Sequence, residues 1–231
     1  MKKLGIIVFI VALAIGVFFS SFFSFGRITS QVFHFNFSGV KGSGVAASET
    51  RNESGFKSVD VGGVFQVEIT AQKDYSVEVS ADDNLLQYIK TEVDGDTLRI
   101  SSEKRINSQT PIIVRISAPN IEHVDASGAS KVTVSGLKNS KFGLDTSGAS
   151  KVDLSGETAN LTIDVSGASK IDAENLIAAR ANVGASGASK VTLNATEDLI
   201  ANASGASKIS YGGNPKHVDP KSSGASSISP R

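Results

Sequence analysis

The sequence predicts an all-β fold, a single-stranded parallel β-helix (a right-handed β-solenoid) carried behind an N-terminal transmembrane helix. Three observations predict it. The tetrapeptide Ser-Gly-Ala-Ser occurs six times, beginning at Ser127, Ser147, Ser166, Ser186, Ser204 and Ser223, with spacings of 20, 19, 20, 18 and 19 residues. Five copies continue into Lys and then alternate apolar with polar residues, as in Lys131-Val132-Thr133-Val134 and Lys151-Val152-Asp153-Leu154. The chain opens with two lysines and then a long uncharged apolar run.

Residues 4–25 carry no charge over 22 positions and stand directly after Met1-Lys2-Lys3. At about 1.5 Å of helical rise per residue they span a hydrocarbon layer of about 30 Å. The leading lysines favour a cytoplasmic N-terminus and export of the chain beyond Arg27. A cleaved signal peptide is the alternative, but its apolar core is usually shorter and ends at a small-x-small site. Residues 1–27 are therefore read as a membrane anchor or signal segment. Residues 28–54, with the aromatic patch Phe33, His34, Phe35 and Phe37 and the run Gly39-Val40-Lys41-Gly42-Ser43-Gly44, read as flexible linker.

The solenoid is expected over residues 55–231. Val59-Asp60-Val61-Gly62-Gly63-Val64-Phe65-Gln66-Val67-Glu68-Ile69 aligns without gaps on residues 124–134, with Phe65 replacing the small Ser130. Such a substitution suits a terminal coil that plugs the core against water. Further strands are expected at 75–80, 98–101 and 112–117, and one short helical turn at 82–89. From Ser127 onward each coil pairs an alternating segment before the motif, such as Leu161-Thr162-Ile163-Asp164-Val165, with one after it. Glycine allows a corner conformation closed to other residues, and Ala and Ser keep stacked corners from colliding. The Ser hydroxyls are free to bond to neighbouring coils. Coils about 4.8 Å apart make six of them a rod roughly 30 Å long. Pro215, Pro220 and Pro230 fall in the last coil, where they would block strand addition at an open end.

Composition narrows the function classes. Lys+Arg and Asp+Glu are both 23, so no global charge draws the chain to nucleic acid. With no cysteine there is no disulfide framework, thiolate metal site or cysteine nucleophile. Trp is absent and Met occurs once, which leaves Val, Ile, Leu, Ala and some of the 12 Phe to build a narrow core.

The order Gly55-Phe56-Lys57-Ser58-Val59-Asp60-Val61, then Glu92-Val93-Asp94-Gly95-Asp96-Thr97-Leu98-Arg99-Ile100, then Ala118-Pro119-Asn120-Ile121, then repeated Ser-Gly-Ala-Ser-Lys, resembles the DUF2807 family, the "putative auto-transporter adhesin, head GIN domain". The resemblance covers roughly residues 55–228. It implies a β-helical extracytoplasmic domain and an adhesin-like role with no assigned chemistry.

The residues singled out for ligand binding are Lys131, Lys151, Lys170, Lys190 and Lys208, expected to form a column with one ammonium per coil. Such a ladder suits an anionic glycan or a phosphate-rich polymer; it equally solubilises an exposed strand, with Asp153 and Asp172 neutralising it in part. Asp145, Asp164 and Asp153 supply carboxylates, yet coils of 18 to 20 residues leave no loop to wall an active-site cleft. His123-Val124-Asp125 and His217-Val218-Asp219 read as equivalent positions five coils apart, too distant to share a metal. The expectation is an exported, membrane-anchored, adhesin-like module in the periplasm or on the cell exterior, not an enzyme, with no catalytic residue, metal or cofactor. Its expected partners are the membrane, through the N-terminal helix, and an anionic envelope polymer or another protein, but not nucleic acid. A passive structural or self-associating envelope element is the alternative, and a polysaccharide-active enzyme stands behind both.

Overall fold

Alternation drives the architecture. After each corner Val132, Val134, Val152, Leu154, Ile171, Ala173, Val191 and Leu193 are buried, while the Lys, Thr and Asp between them reach solvent. One coil cannot cover such a face alone, so coils stack in parallel. The computed structural model describes residues 39–231. The expected membrane helix and the aromatic patch at Phe33 to Phe37 lie outside the described residues.

The N-terminal half contains β1 (Val40–Lys41), β2 (Ala46–Arg51), β3 (Ser58–Gly63), β4 (Gln66–Ala71), β5 (Ser76–Asp82), β6 (Ile89–Asp94), β7 (Thr97–Ser102), β8 (Ile106–Asn107) and β9 (Ile113–Ala118), with one 3-10 turn at Leu86–Tyr88. The repeat region comprises β10 (His123–Gly128), β11 (Lys131–Thr146), β12 (Lys151–Val165), β13 (Lys170–Ala185), β14 (Lys190–Ala203), β15 (Lys208–Gly212), β16 (His217–Ser222) and β17 (Ser227–Pro230). Apart from the β1–β8 pair, the strands of the described residues form one 15-stranded sheet wound into a β-solenoid of about five turns.

The corner sets the register. The amides of Ala149, Ala168, Ala188 and Ala206 donate to the carbonyls of Gly128, Gly148, Gly167 and Gly187 one coil below, each at 2.8 Å. The Ser hydroxyls join in, as Ser127 Oγ to Val61 O at 3.2 Å and Ser189 Oγ to Gly167 O at 3.3 Å. Gly167 has φ +89, and a Cβ there would sit 2.3 Å from the Gly148 carbonyl oxygen, so both its dihedral and its neighbour demand glycine. The unequal spacings are absorbed away from the corner, where register shifts fall between Val134 and Leu137, Asp153 and Ser155, and Ala173 and Ile177.

The ungapped match of residues 59–69 to 124–134 is the observed pairing: β3 stacks on β10 with Val59 opposite Val124, and β4 on β11 with Val67 opposite Val132. The coil is not terminal, however. β7 lies beneath β3 and β9 beneath β4, so Phe65, only 4% exposed, fills an internal layer. The end is closed by reversing chain direction: β6 runs antiparallel to β7, and β5 antiparallel to β9. Residues 40–51, expected within the flexible linker, carry β1 and β2, and β2 extends the closure by pairing antiparallel with β5. Their Gly and Ser content reads as linker because the partners that order them are remote in the chain (Val77 for Arg51, Ile106 for Val40).

A buried carboxylate fastens this end. Asp82 is fully buried and accepts hydrogen bonds from Gly44 N at 3.0 Å, Ser108 Oγ at 2.7 Å and Gln109 N at 2.7 Å, so it joins three separate segments. Burial alone would raise its pKa, but the hydrogen bonds from Ser108, Gln109 and Thr110 outweigh burial and hold the carboxyl below its ordinary value.

Corner and clasp can each be tested through stability. Gly167→Ala should cost more than the ~1 kcal/mol expected of an unfavourable dihedral alone and lower the Tm by several degrees, whereas Ala168→Ser on the exposed side of the same corner should leave the Tm unchanged in calorimetry. Asp82→Asn should lower the Tm at neutral pH. Because the folded pKa is depressed, the wild-type advantage should hold above about pH 4 and vanish as pH falls through the folded value; an unchanged gap at acid pH would contradict this role.

Candidate functional site

The five predicted lysines are brought together. Each opens the strand after a corner, where the Lys151, Lys170, Lys190 and Lys208 amides are held to the Ser130, Ser150, Ser169 and Ser189 carbonyls at 2.8 to 2.9 Å. In register, Lys131 lies beside Lys151, Lys151 beside Lys170, Lys170 beside Lys190 and Lys190 beside Lys208. Gln66 ends the column below and Ser227 above. All five side chains are exposed. At about 4.8 Å, neighbouring ammoniums in water repel by ~0.9 kcal/mol before salt screening, which splayed side chains tolerate.

Little of this charge is neutralised by the described residues. Lys151 Nζ lies 3.3 Å from Asp153 Oδ2. Asp172, the other expected counter-charge, instead accepts the Glu174 amide at 3.3 Å. Among the described residues Lys131, Lys170, Lys190 and Lys208 have no ion pair.

A second ladder lies across the corner. Asp60, Asp125, Asp145 and Asp164 stack in register, and the column continues upward as Gly184, Asn202 and Lys221. Asp125, Asp145 and Asp164 line a shallow groove of about 600 Å³ whose floor includes Thr146, Val165 and Ala185 and whose far rim is the corner serines. Burial first, then the charges of Asp60 and Asp145, push the Asp125 carboxyl above its ordinary value, with His123 acting against them. This acidic column was missed in the sequence, where Asp145 and Asp164 read only as carboxylates with no cleft around them. Its signal was present: Asp125, Asp145 and Asp164 each stand two residues before the first Ser of a motif.

The remaining candidates disperse. Asp153 lies on the lysine side of the corner, so it does not converge with Asp145 and Asp164. The two histidines are not equivalent: His123 belongs to the column of Gly143, Thr162, Asn182, Ile200 and Asp219, whereas His217 stacks on Asp198, two residues out of step with that reading. His123 Nε2 lies 3.3 Å from Asp145 Oδ2, which gives it a local structural partner. Among the described residues no group of three or more His, Asp or Glu is placed to hold a metal ion.

The crowded acidic ladder yields a direct test. Asp125→Asn should raise the Tm by about 2 °C at neutral pH, because it removes a partly buried charge and with it the repulsion from Asp60 and Asp145. With the folded pKa raised above 3.8, the wild type sheds that penalty as pH falls, so the gain should shrink as acid protonates Asp125. A variant less stable than wild type at pH 7 would contradict a net penalty for the Asp125 charge.

The fold recurs in solved structures. A crystal structure described as a "putative adhesin" from Bacteroides fragilis superposes with a TM-score of 0.69 at 20% identity, covering 84% of this chain and 100% of that one. A "putative lipid binding protein" from Parabacteroides distasonis gives 0.52 at 21% identity over 83% of this chain and 99% of that one. A "putative adhesin" from Parabacteroides merdae gives 0.52 at 16% identity over 83% and 98%. Among curated proteins none matches the chain. Identities this low speak for the fold alone, but the family model for the "putative auto-transporter adhesin, head GIN domain" matches residues 55–215, from the closed end through the lysine ladder, and the chain belongs to that family, DUF2807.

Proposed function

We propose that this chain is an exported, membrane-anchored, adhesin-like module that works by binding rather than catalysis, and that its lysine ladder holds an anionic polymer of the cell envelope. The observation that carries this reading is the in-register column from Lys131 to Lys208, in which only Lys151 has an ion-pair partner among the described residues. A periodic array of cations at about 4.8 Å suits a polymer with repeating carboxylates or phosphates, since successive charges engage successive rungs. A folded monomer loses no backbone freedom in presenting it, because the backbone beneath each Lys is already fixed, and only the Lys side chains are ordered on binding. Family membership supports the adhesin-like role.

The anchor in this reading is the apolar run at residues 4–25. Among the described residues no helix is long and apolar enough to cross a membrane.

The test is binding of a fragment of residues 39–231, which retains β1 and β2, to anionic glycans and polyphosphate at low and high salt. A variant with Lys131, Lys151, Lys170, Lys190 and Lys208 all changed to Gln should lose at least about tenfold in affinity, and wild-type binding should weaken steeply with salt. A well-folded wild-type fragment that binds none of these polymers would remove the ladder as a site.

A further inference from the structure

The two ladders are complementary to each other. The acidic column and the basic column flank the same corner, six residues apart in every coil: Asp125 and Lys131, Asp145 and Lys151, Asp164 and Lys170. Both columns rise at the same interval because the same sheet carries them. The exposed strip between them is Gly and Ala in each coil, and at its foot stands Val64, which is 71% exposed and occupies the position of Ala129. The acidic groove is also incompletely satisfied: Thr146, which lines it, is 4% exposed and its Oγ1 has no hydrogen-bond partner.

We propose that two copies of this chain dock side by side, with rods parallel and coils level, on a two-fold axis running along the Ser-Gly-Ala-Ser corner. Rotation about such an axis exchanges left and right while keeping height. It therefore sets Asp125, Asp145 and Asp164 of each copy against Lys131, Lys151 and Lys170 of the other, on both sides of the axis at once. Asp60 faces Gln66, Gly184 faces Lys190, Asn202 faces Lys208 and Lys221 faces Ser227, so no like charges meet. Sliding one copy by a coil places Lys221 opposite Lys208 and leaves the contact unclosed, so the level register is selected. On the axis, Val64 and the corner alanines meet their own counterparts, and small residues let the backbones approach.

The contact is modest. A strip about 29 Å tall and about 20 Å wide covers roughly 600 Å² per copy, at the low end for a specific interface. Docking is thus weak in dilute solution and favoured where copies are concentrated on one surface. Docking does not depend on polymer binding, although the two compete for Lys131, Lys151 and Lys170. Lys190 and Lys208 stay without an acidic counterpart in the pair. Existing contacts of Lys151 with Asp153 and of Asp145 with His123 have to be shared or exchanged on docking.

The chain has no cysteine, so a single introduced thiol reports its neighbour unambiguously. The experiment is oxidative crosslinking of the full-length chain in detergent at low ionic strength. Ala149→Cys, at the axis, should form disulfide-linked dimers, and Ile177→Cys, exposed on the side away from the corner, should not. In the Ala149→Cys background, changing Asp125, Asp145 and Asp164 to Lys should cut crosslinking by at least about tenfold, and changing Lys131, Lys151 and Lys170 to Asp should do the same. Mixing these two variants restores opposite charges on both sides of the axis and should restore crosslinking between them. Equal crosslinking at Ala149 and Ile177, none at Ala149, or no recovery in the mixture would overturn the proposal. Polymer binding by the unmutated fragment is read separately, so a failure of docking leaves that result standing.

Discussion

A single hydrogen bond, repeated once per turn, organises the molecule: the amide of a corner alanine donates to the carbonyl of the corner glycine one coil below. It is 2.8 Å long from Ala149 through Ala206. The bond requires the backbone of consecutive corners to come closer than a side chain permits, which excludes every residue but glycine at that place. Because the corners cannot slip, residues counted from the corner in either direction fall into vertical columns. The lysine ladder, the aspartate ladder and the buried rows of Val, Leu and Ala are three consequences of that one restriction.

The non-repeating half solves a different problem. A stack of identical coils has two open ends, each with unpaired backbone groups and an uncovered core. At the N-terminal end the chain reverses direction in β5 and β6, brings β2 alongside, and sets Phe56 against Tyr75 with ring centroids 5.1 Å apart. Asp82 ties the result together by receiving donors from β2's approach and from the loop before β9. These elements have no internal symmetry, because their task is to stop a repeat rather than continue it.

That division explains what the sequence disclosed. The motif spacing and the period-two alternation made the coils legible, and the degenerate match at residues 59–69 located a further coil to the residue. The lysine column was equally visible, since the strand register tracks the motif. Three readings were less successful. Phe65 looked like an end plug because the chain meets it first; β7 and β9 fold beneath it from later in the sequence, and no local pattern announces that. Residues 40–51 looked like linker because β2 draws its order from β5. His217 was equated with His123 by a shared tripeptide, although counting back from each corner separates them. The aspartate ladder has no local signature within one coil, since each Asp taken alone is an ordinary surface carboxylate and its meaning lies in the stack.

The placement of the register shifts has an evolutionary consequence. Gains and losses of one or two residues fall on the side of the coil remote from the corner, so sequence length can drift there without disturbing either charged column. A whole coil is equally separable, since it contacts only the coils above and below and begins and ends at the same motif. Duplication or deletion of one such unit lengthens or shortens the rod by a single step and adds or removes one rung, with the closing strands untouched. Reach and total charge are therefore inherited as a count of units, adjustable by ordinary unequal recombination and without redesign of the fold.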